Sequence, residues 1–115
     1  VIGPSSFRVD VALDTDVHRL RLVGELDLDG AADLRSALAA CFARPSGRVV
    51  LDLWGLRFCD CAGLNVLLEA KDTADSIGTE LCVEGACAQV SRLFALTGAG
   101  GRFTAGVRSR LPRIA

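Results

Sequence analysis

Apolar and polar residues alternate in Phe7-Arg8-Val9-Asp10-Val11 and again in Arg19-Leu20-Arg21-Leu22-Val23, the period of strands with one buried face. Asp14-Thr15-Asp16 between them is turn chemistry, so the two segments predict a hairpin. In the second strand Leu20, Leu22 and Leu26 fall on one face and Arg19, Arg21 and Glu25 on the other. The period then lengthens. From Asp29 or Gly30 a helix is expected with Leu34, Leu38, Cys41 and Phe42 as its buried stripe, ended by Pro45-Ser46-Gly47. Val49-Val50-Leu51 with Leu53 is a β-branched-rich run the size of a buried strand. Trp54-Gly55-Leu56-Arg57-Phe58 interrupts it and carries the chain round to Cys59-Asp60-Cys61-Ala62-Gly63. A second helix follows, with Gly63, Leu67, Ala70, Ala74 and Ile77 at steps of three and four and Leu64 and Leu68 beside them.

Glu80 to Glu84 reads as another strand, closed by Gly85. Ala88 to Thr97 reads as a short helix that turns Val90, Leu93 and Phe94 inward and stops at Gly98. Arg102-Phe103-Thr104-Ala105 is a candidate edge strand, and Val107 to Ala115 a basic tail carrying Arg108, Arg110 and Arg113, mobile at its end. Strand–helix–strand units favour parallel pairing. The order therefore predicts an α/β fold, one domain over residues 1–115, with a mixed β-sheet of about four to five strands flanked by helices. A chain of 115 residues is enough for one core.

Buried strand and helix meet at Asp60, which sits where an N-cap acceptor belongs. The pattern places a short polar loop on the exposed amino end of a helix, a setting that suits an anion or a docking partner. Composition narrows the choice. Thirteen basic residues nearly balance 14 acidic ones and the net charge is −1, so no basic excess points to nucleic acid. No apolar run approaches the roughly 18 residues of a membrane span. The opening VIGPSSFRVD lacks the features of a signal peptide. The absence of Met, with Val at position 1, suggests a trimmed chain whose leader, had there been one, would be missing.

The five cysteines, at 41, 59, 61, 82 and 87, are an odd set without a disulfide framework. Cys41 and Cys82 fall on core-facing positions, and a reduced, cytoplasmic chain is expected. Cys59-x-Cys61 and Cys82-x4-Cys87 lack knuckle spacing, so no metal or other cofactor is expected. Cys61, at a helix amino end, is the candidate reactive thiol. The one histidine, His18, sits beside the turn and reads as a surface residue. Nothing places it against a nucleophile, and Gly98-Ala99-Gly100-Gly101 follows a helix and lacks the Lys of a phosphate loop. The chain does not read as an enzyme.

The strand, the Asp60-x-x-Gly63-Leu64 helix start and the apolar helix resemble the signature of STAS domains, more narrowly the bacterial anti-sigma factor antagonists. Gly24-Glu25-Leu26-Asp27 is similar to that family's second recurring motif. The resemblance spans nearly the whole chain. It implies a binding protein that docks on an anti-sigma factor of the serine-kinase type and so frees a sigma factor. It assigns the docking surface to Asp27, Asp60, Cys61, Ala62, Gly63 and Leu64. The family's helix start reads Asp-Ser-Ser-Gly-Leu, and phosphate on the second serine ends binding. A phosphoserine adds about −1.5 to −2 charges. Here the two serines are Cys61 and Ala62, and Ala62, at the phosphoacceptor position, has no hydroxyl. Ser36, Thr73 and Ser76 lie on helix bodies and offer no substitute. The resemblance thus implies a constitutive antagonist, with a non-phosphorylatable docking or scaffold module, or a regulator acting through Cys61, as alternatives. Family members also serve as domains of anion transporters, a role against which an isolated single domain argues. Asp27 fits the recognition role and equally a plain carboxylate at a helix terminus.

Overall fold

The hairpin forms where the alternation places it. Strands β1 (Phe7–Asp14) and β2 (Val17–Leu26) pair antiparallel. Thr15 and Asp16 between them both take left-handed φ, 42° and 67°, the conformation a two-residue hairpin turn demands. The computed structural model describes residues 7–44, 46–98 and 107–109. After β2 come α1 (Leu28–Ala43), β3 (Arg48–Cys59), α2 (Cys61–Ile77), β4 (Glu80–Ala86), α3 (Ala88–Thr97) and β5 (Val107–Ser109). The described strands form one mixed sheet in the order β1-β2-β3-β4-β5, parallel from β2 onward. Each of the three parallel steps is a strand–helix–strand crossover.

The core lies between the sheet and its helices. Leu20, Leu22 and Leu26 of β2 are fully buried, as are Leu51, Leu53 and Leu56 of β3, and they join Leu34 and Leu38 of α1, Leu64 and Leu67 of α2, and Val90 and Phe94 of α3 in one cluster. Cys41 is buried in this cluster as expected; Cys82 is buried as well, but outside it, because it shares the strand parity of Glu80 and Glu84. The opposite sheet face carries a polar lattice instead, in which Arg19 reaches Asp52 and Glu84, and Arg48 pairs with Glu80. That face explains the alternation of β2: one side rests on leucines, the other holds exposed ion pairs worth little individually.

Four expectations are corrected. His18 is not a surface residue but 4% exposed, because it shares the parity of Leu20 and Leu22 and so the same buried face. Trp54 to Phe58 does not interrupt β3, which runs unbroken for 12 residues. Gly55 marks a close approach: a Cβ there would come within 3.0 Å of Val23 and 3.2 Å of the Leu22 carbonyl. The register of β3 against β2 shifts on either side of that contact, and the resulting irregularity takes up the kink that the sequence pattern suggests. Ile77 is exposed, because α2 ends there and left-handed Gly78 turns the chain into β4. Val107–Ser109 of the tail is β5, parallel to β4. The candidate edge strand at 102–105 lies outside the described residues.

Candidate functional site

Two helices begin side by side at one end of the sheet. β2 ends at Leu26, whose register partner on β3 is Cys59, so Asp27 and Asp60 leave neighbouring strands at the same level. The Asp60 amide donates to the Leu26 carbonyl at 3.1 Å, locking the two exits together. Each aspartate then caps its own helix. The Asp27 Oδ1 accepts from the amides of Asp29 and Gly30, both at 3.1 Å. The Asp60 Oδ1 accepts from the Gly63 amide at 2.9 Å. Both residues are in extended backbone conformation, and their own carbonyls accept the first helical bonds, from Ala31 and Leu64. The helix at Asp27 therefore starts at Leu28, ahead of the expected start at Asp29 or Gly30. At Asp60 no loop intervenes: a single residue separates β3 from α2.

Gly63 and Leu64 are buried, and their role is packing. A Cβ on Gly63 would sit 2.6 Å from Leu26 Cγ and 3.1 Å from Cys59 Sγ. Only a glycine lets the first turn of α2 press onto the end of β2. Leu64 belongs to the core cluster. Cys61 is exposed and Ala62 half-buried, on the outer side of the same turn. The arrangement thus separates the expected docking residues into two kinds: Asp27, Asp60, Cys61 and Ala62 line the surface, whereas Gly63 and Leu64 hold it in place.

Further residues at this end escape a motif reading. Gln89, in the first turn of α3, clamps the backbone of Cys59 from both sides. Its Oε1 accepts from the Cys59 amide and its Nε2 donates to the Cys59 carbonyl, each at 3.0 Å. α3 is thereby anchored to the strand that delivers Asp60, although nothing in the spacing of Gln89 announces it. Leu28 and Phe58 project outward, 73% and 40% exposed. In the sequence Leu28 lies between Asp27 and Asp29 and Phe58 follows Arg57, and neither belongs to a motif. Their position beside the two caps gives the acidic helix ends an apolar rim. Glu25 and Arg57, on neighbouring strands beside the register shift, form an exposed pair at 2.7 Å.

The cysteines differ sharply. Cys59 is buried, and burial, reinforced by Asp60, Cys61 and Cys87, pushes its thiol up from 9.0 to about 12. It donates to the Asp60 carbonyl at 3.3 Å and stays protonated, an inert core residue. Burial raises Cys41 and Cys82 as well. All five thiols are free. Among the described residues no three metal-ligating side chains converge, and no helix is long and apolar enough to cross a membrane.

A family model described as "Mlab, STAS domain" matches residues 9–108. The chain belongs to the STAS domain family. Solved STAS structures share its fold. A crystal structure of an anti-sigma factor antagonist from Mycobacterium paratuberculosis is 24% identical and superposes with a TM-score of 0.77, covering 94% of this chain and 90% of that one. A putative anti-sigma factor antagonist from Thermotoga maritima is 16% identical at a TM-score of 0.75, covering 87% and 85%. The anti-sigma factor antagonist SpoIIAA in its unphosphorylated form is 16% identical at 0.74, covering 91% and 88%.

Proposed function

We propose that this STAS domain is an anti-sigma factor antagonist that docks, through the end of its sheet bearing Asp27 and Asp60, on an anti-sigma factor of the serine-kinase type. The observation that carries the reading is the pairing of the two aspartate caps on adjacent helix starts, with Cys61 and Ala62 outermost on the second. Leu28 and Phe58 add exposed apolar anchors of the kind that supply binding energy. The structural neighbours named as anti-sigma factor antagonists support the same role.

The switch is where this chain departs from the family pattern. Ala62 occupies the place of the phosphoacceptor and offers only a methyl group, and Ser36, Thr73 and Ser76 are exposed along the helix bodies. Ser91, in the first turn of α3, is half-buried and directs its hydroxyl to the Ala86 carbonyl. A kinase partner thus finds no hydroxyl at the start of α2, and docking is constitutive. The missing hydroxyl equally favours a second reading, a STAS docking module in an assembly without a phosphoswitch.

Native mass spectrometry with candidate anti-sigma kinases, with and without ATP, separates the two. The expected result is a wild-type complex that persists with ATP, while Ala62→Ser gains phosphate and dissociates. Absence of a complex with any such kinase favours the second reading, and a phosphate adduct on the wild type refutes the constitutive one.

A further inference from the structure

The sheet ends on one side at β1, with no described strand beyond it. Asp14 and Val17 flank the two-residue turn as its closing pair. In such a hairpin the even-numbered residues of β1 exchange hydrogen bonds with β2, and the backbone N–H and C=O groups of Val9, Val11 and Leu13 point to the open edge. The side chains of these three residues lie on the helix side of the sheet, where Phe7 enters the core. α1 does not cover them all: Val11 and Leu13 remain 49% and 51% exposed. They form one wall of a groove of about 310 Å³ whose other wall is Ala37 and Ala40 of α1. An eight-residue edge with an apolar face and neither Lys nor Pro is an open template for pairing.

We infer that this edge binds a second copy of the chain, β1 against β1 antiparallel, on a two-fold axis through Val11. The hydrogen-bond alternation admits only registers that set odd residues opposite odd ones. An axis at Asp10 would place two Asp10 carboxylates face to face. An axis at Val9 would leave Leu13 outside the ladder. At Val11, Val9 lies opposite Leu13 of the second copy, Val11 opposite Val11, and Arg8 opposite Asp14, so apolar and charged pairs both match along the strand FRVDVALD. Arg8 now bridges to Asp10 at 3.1 Å in an exposed pair and is free to exchange that contact. The two-fold runs perpendicular to the sheet, so both helix layers lie on one side of a continuous sheet. Because β2 of one copy then runs opposite to β2 of the other, the Asp27/Asp60 ends point away from each other. The dimer would present two docking ends without using either.

Sedimentation velocity of the full chain across the micromolar range tests the interface. The wild type is expected to dimerise reversibly, and Val11→Lys, at a half-exposed position, to be monomeric with an unchanged circular dichroism spectrum. Arg8→Asp and Asp14→Arg should each weaken the dimer about tenfold by setting like charges opposite, and the double variant should restore it. A wild type that stays monomeric throughout, or a dimer indifferent to Val11→Lys, overturns the interface. Charge variants without effect overturn the register.

Discussion

The two ends of the parallel strands use polar residues in opposite ways. At the amino ends they are joined to each other. The Nδ1 of His18 lies 2.9 Å from Ser46 Oγ, and that hydroxyl donates to the Arg48 carbonyl at 3.2 Å. Thr79 Oγ1 donates to the Ser46 carbonyl, the Gly47 amide to Asp16, and the Glu80 amide to Gly47. Here three connections are tied together. At the carboxyl ends Asp27 and Asp60 each spend one oxygen on helix amides. Their remaining capacity, together with Leu28 and Phe58, faces outward. One end is closed on itself; the other is the end proposed for recognition.

The comparison can be broken or sharpened by substitution, taken here from the largest expected effect on stability to the smallest. Gly63→Val forces two branches into Leu26 and Cys59, and a loss of about 3 kcal/mol is expected in urea unfolding, in line with overpacking. Partner binding should fall with it, since the first turn of α2 must shift. His18→Ala opens a buried site and strips a partner from Ser46, for about 1–3 kcal/mol. Its affinity for the partner, by titration calorimetry, should not change, and a weakened complex would refute the division between the two ends.

Asp60→Ala removes a cap, for about 1 kcal/mol, and should also weaken docking. Asp60→Asn keeps the cap acceptor, so any affinity lost in that variant measures recognition of charge alone. Phe58→Ser and Leu28→Ser should move stability by about 1 kcal/mol or less and affinity by tenfold or more. Binding that ignores both variants would remove the apolar rim from the interface. Thiol labelling should disturb the fold least. Iodoacetamide at pH 8 is expected to modify exposed Cys61 and to spare Cys59, read by peptide mass spectrometry. The sign follows from the raised Cys59 value: its thiol favours the folded state below the unfolded value of 9.0, and that contribution is lost as pH rises through about 12.

Much of the fold was legible in the chain because burial and secondary structure share a period. β2 declares its inner face in Leu20, Leu22 and Leu26, and α3 runs over the residues its pattern predicts, from Ala88 to Thr97. Where pattern and structure differ, place outranks side-chain chemistry. The polarity of His18 and its turn point outward, although its parity with Leu20 already puts it inside. Lys71, a helical turn beyond Leu67, is likewise buried along its stem while its amine reaches Asp75. A glycine in a strand signals either a turn or a close neighbour, and at Gly55 only the neighbour distinguishes them.

The sequence by itself determined the local features: the turn at Thr15-Asp16, the caps at Asp27 and Asp60, and the periods that select strand or helix. These depend on residues within a few positions of one another. The tertiary structure decided what lies far apart in the chain. It set Leu26 beside Cys59, so that the two caps share one surface, and it brought Gln89 onto the Cys59 backbone. It also gave Gly63 its necessity, which is the nearness of Leu26. Such contacts arise from strand pairing and packing across the sheet, and no local preference encodes which distant side chain will arrive.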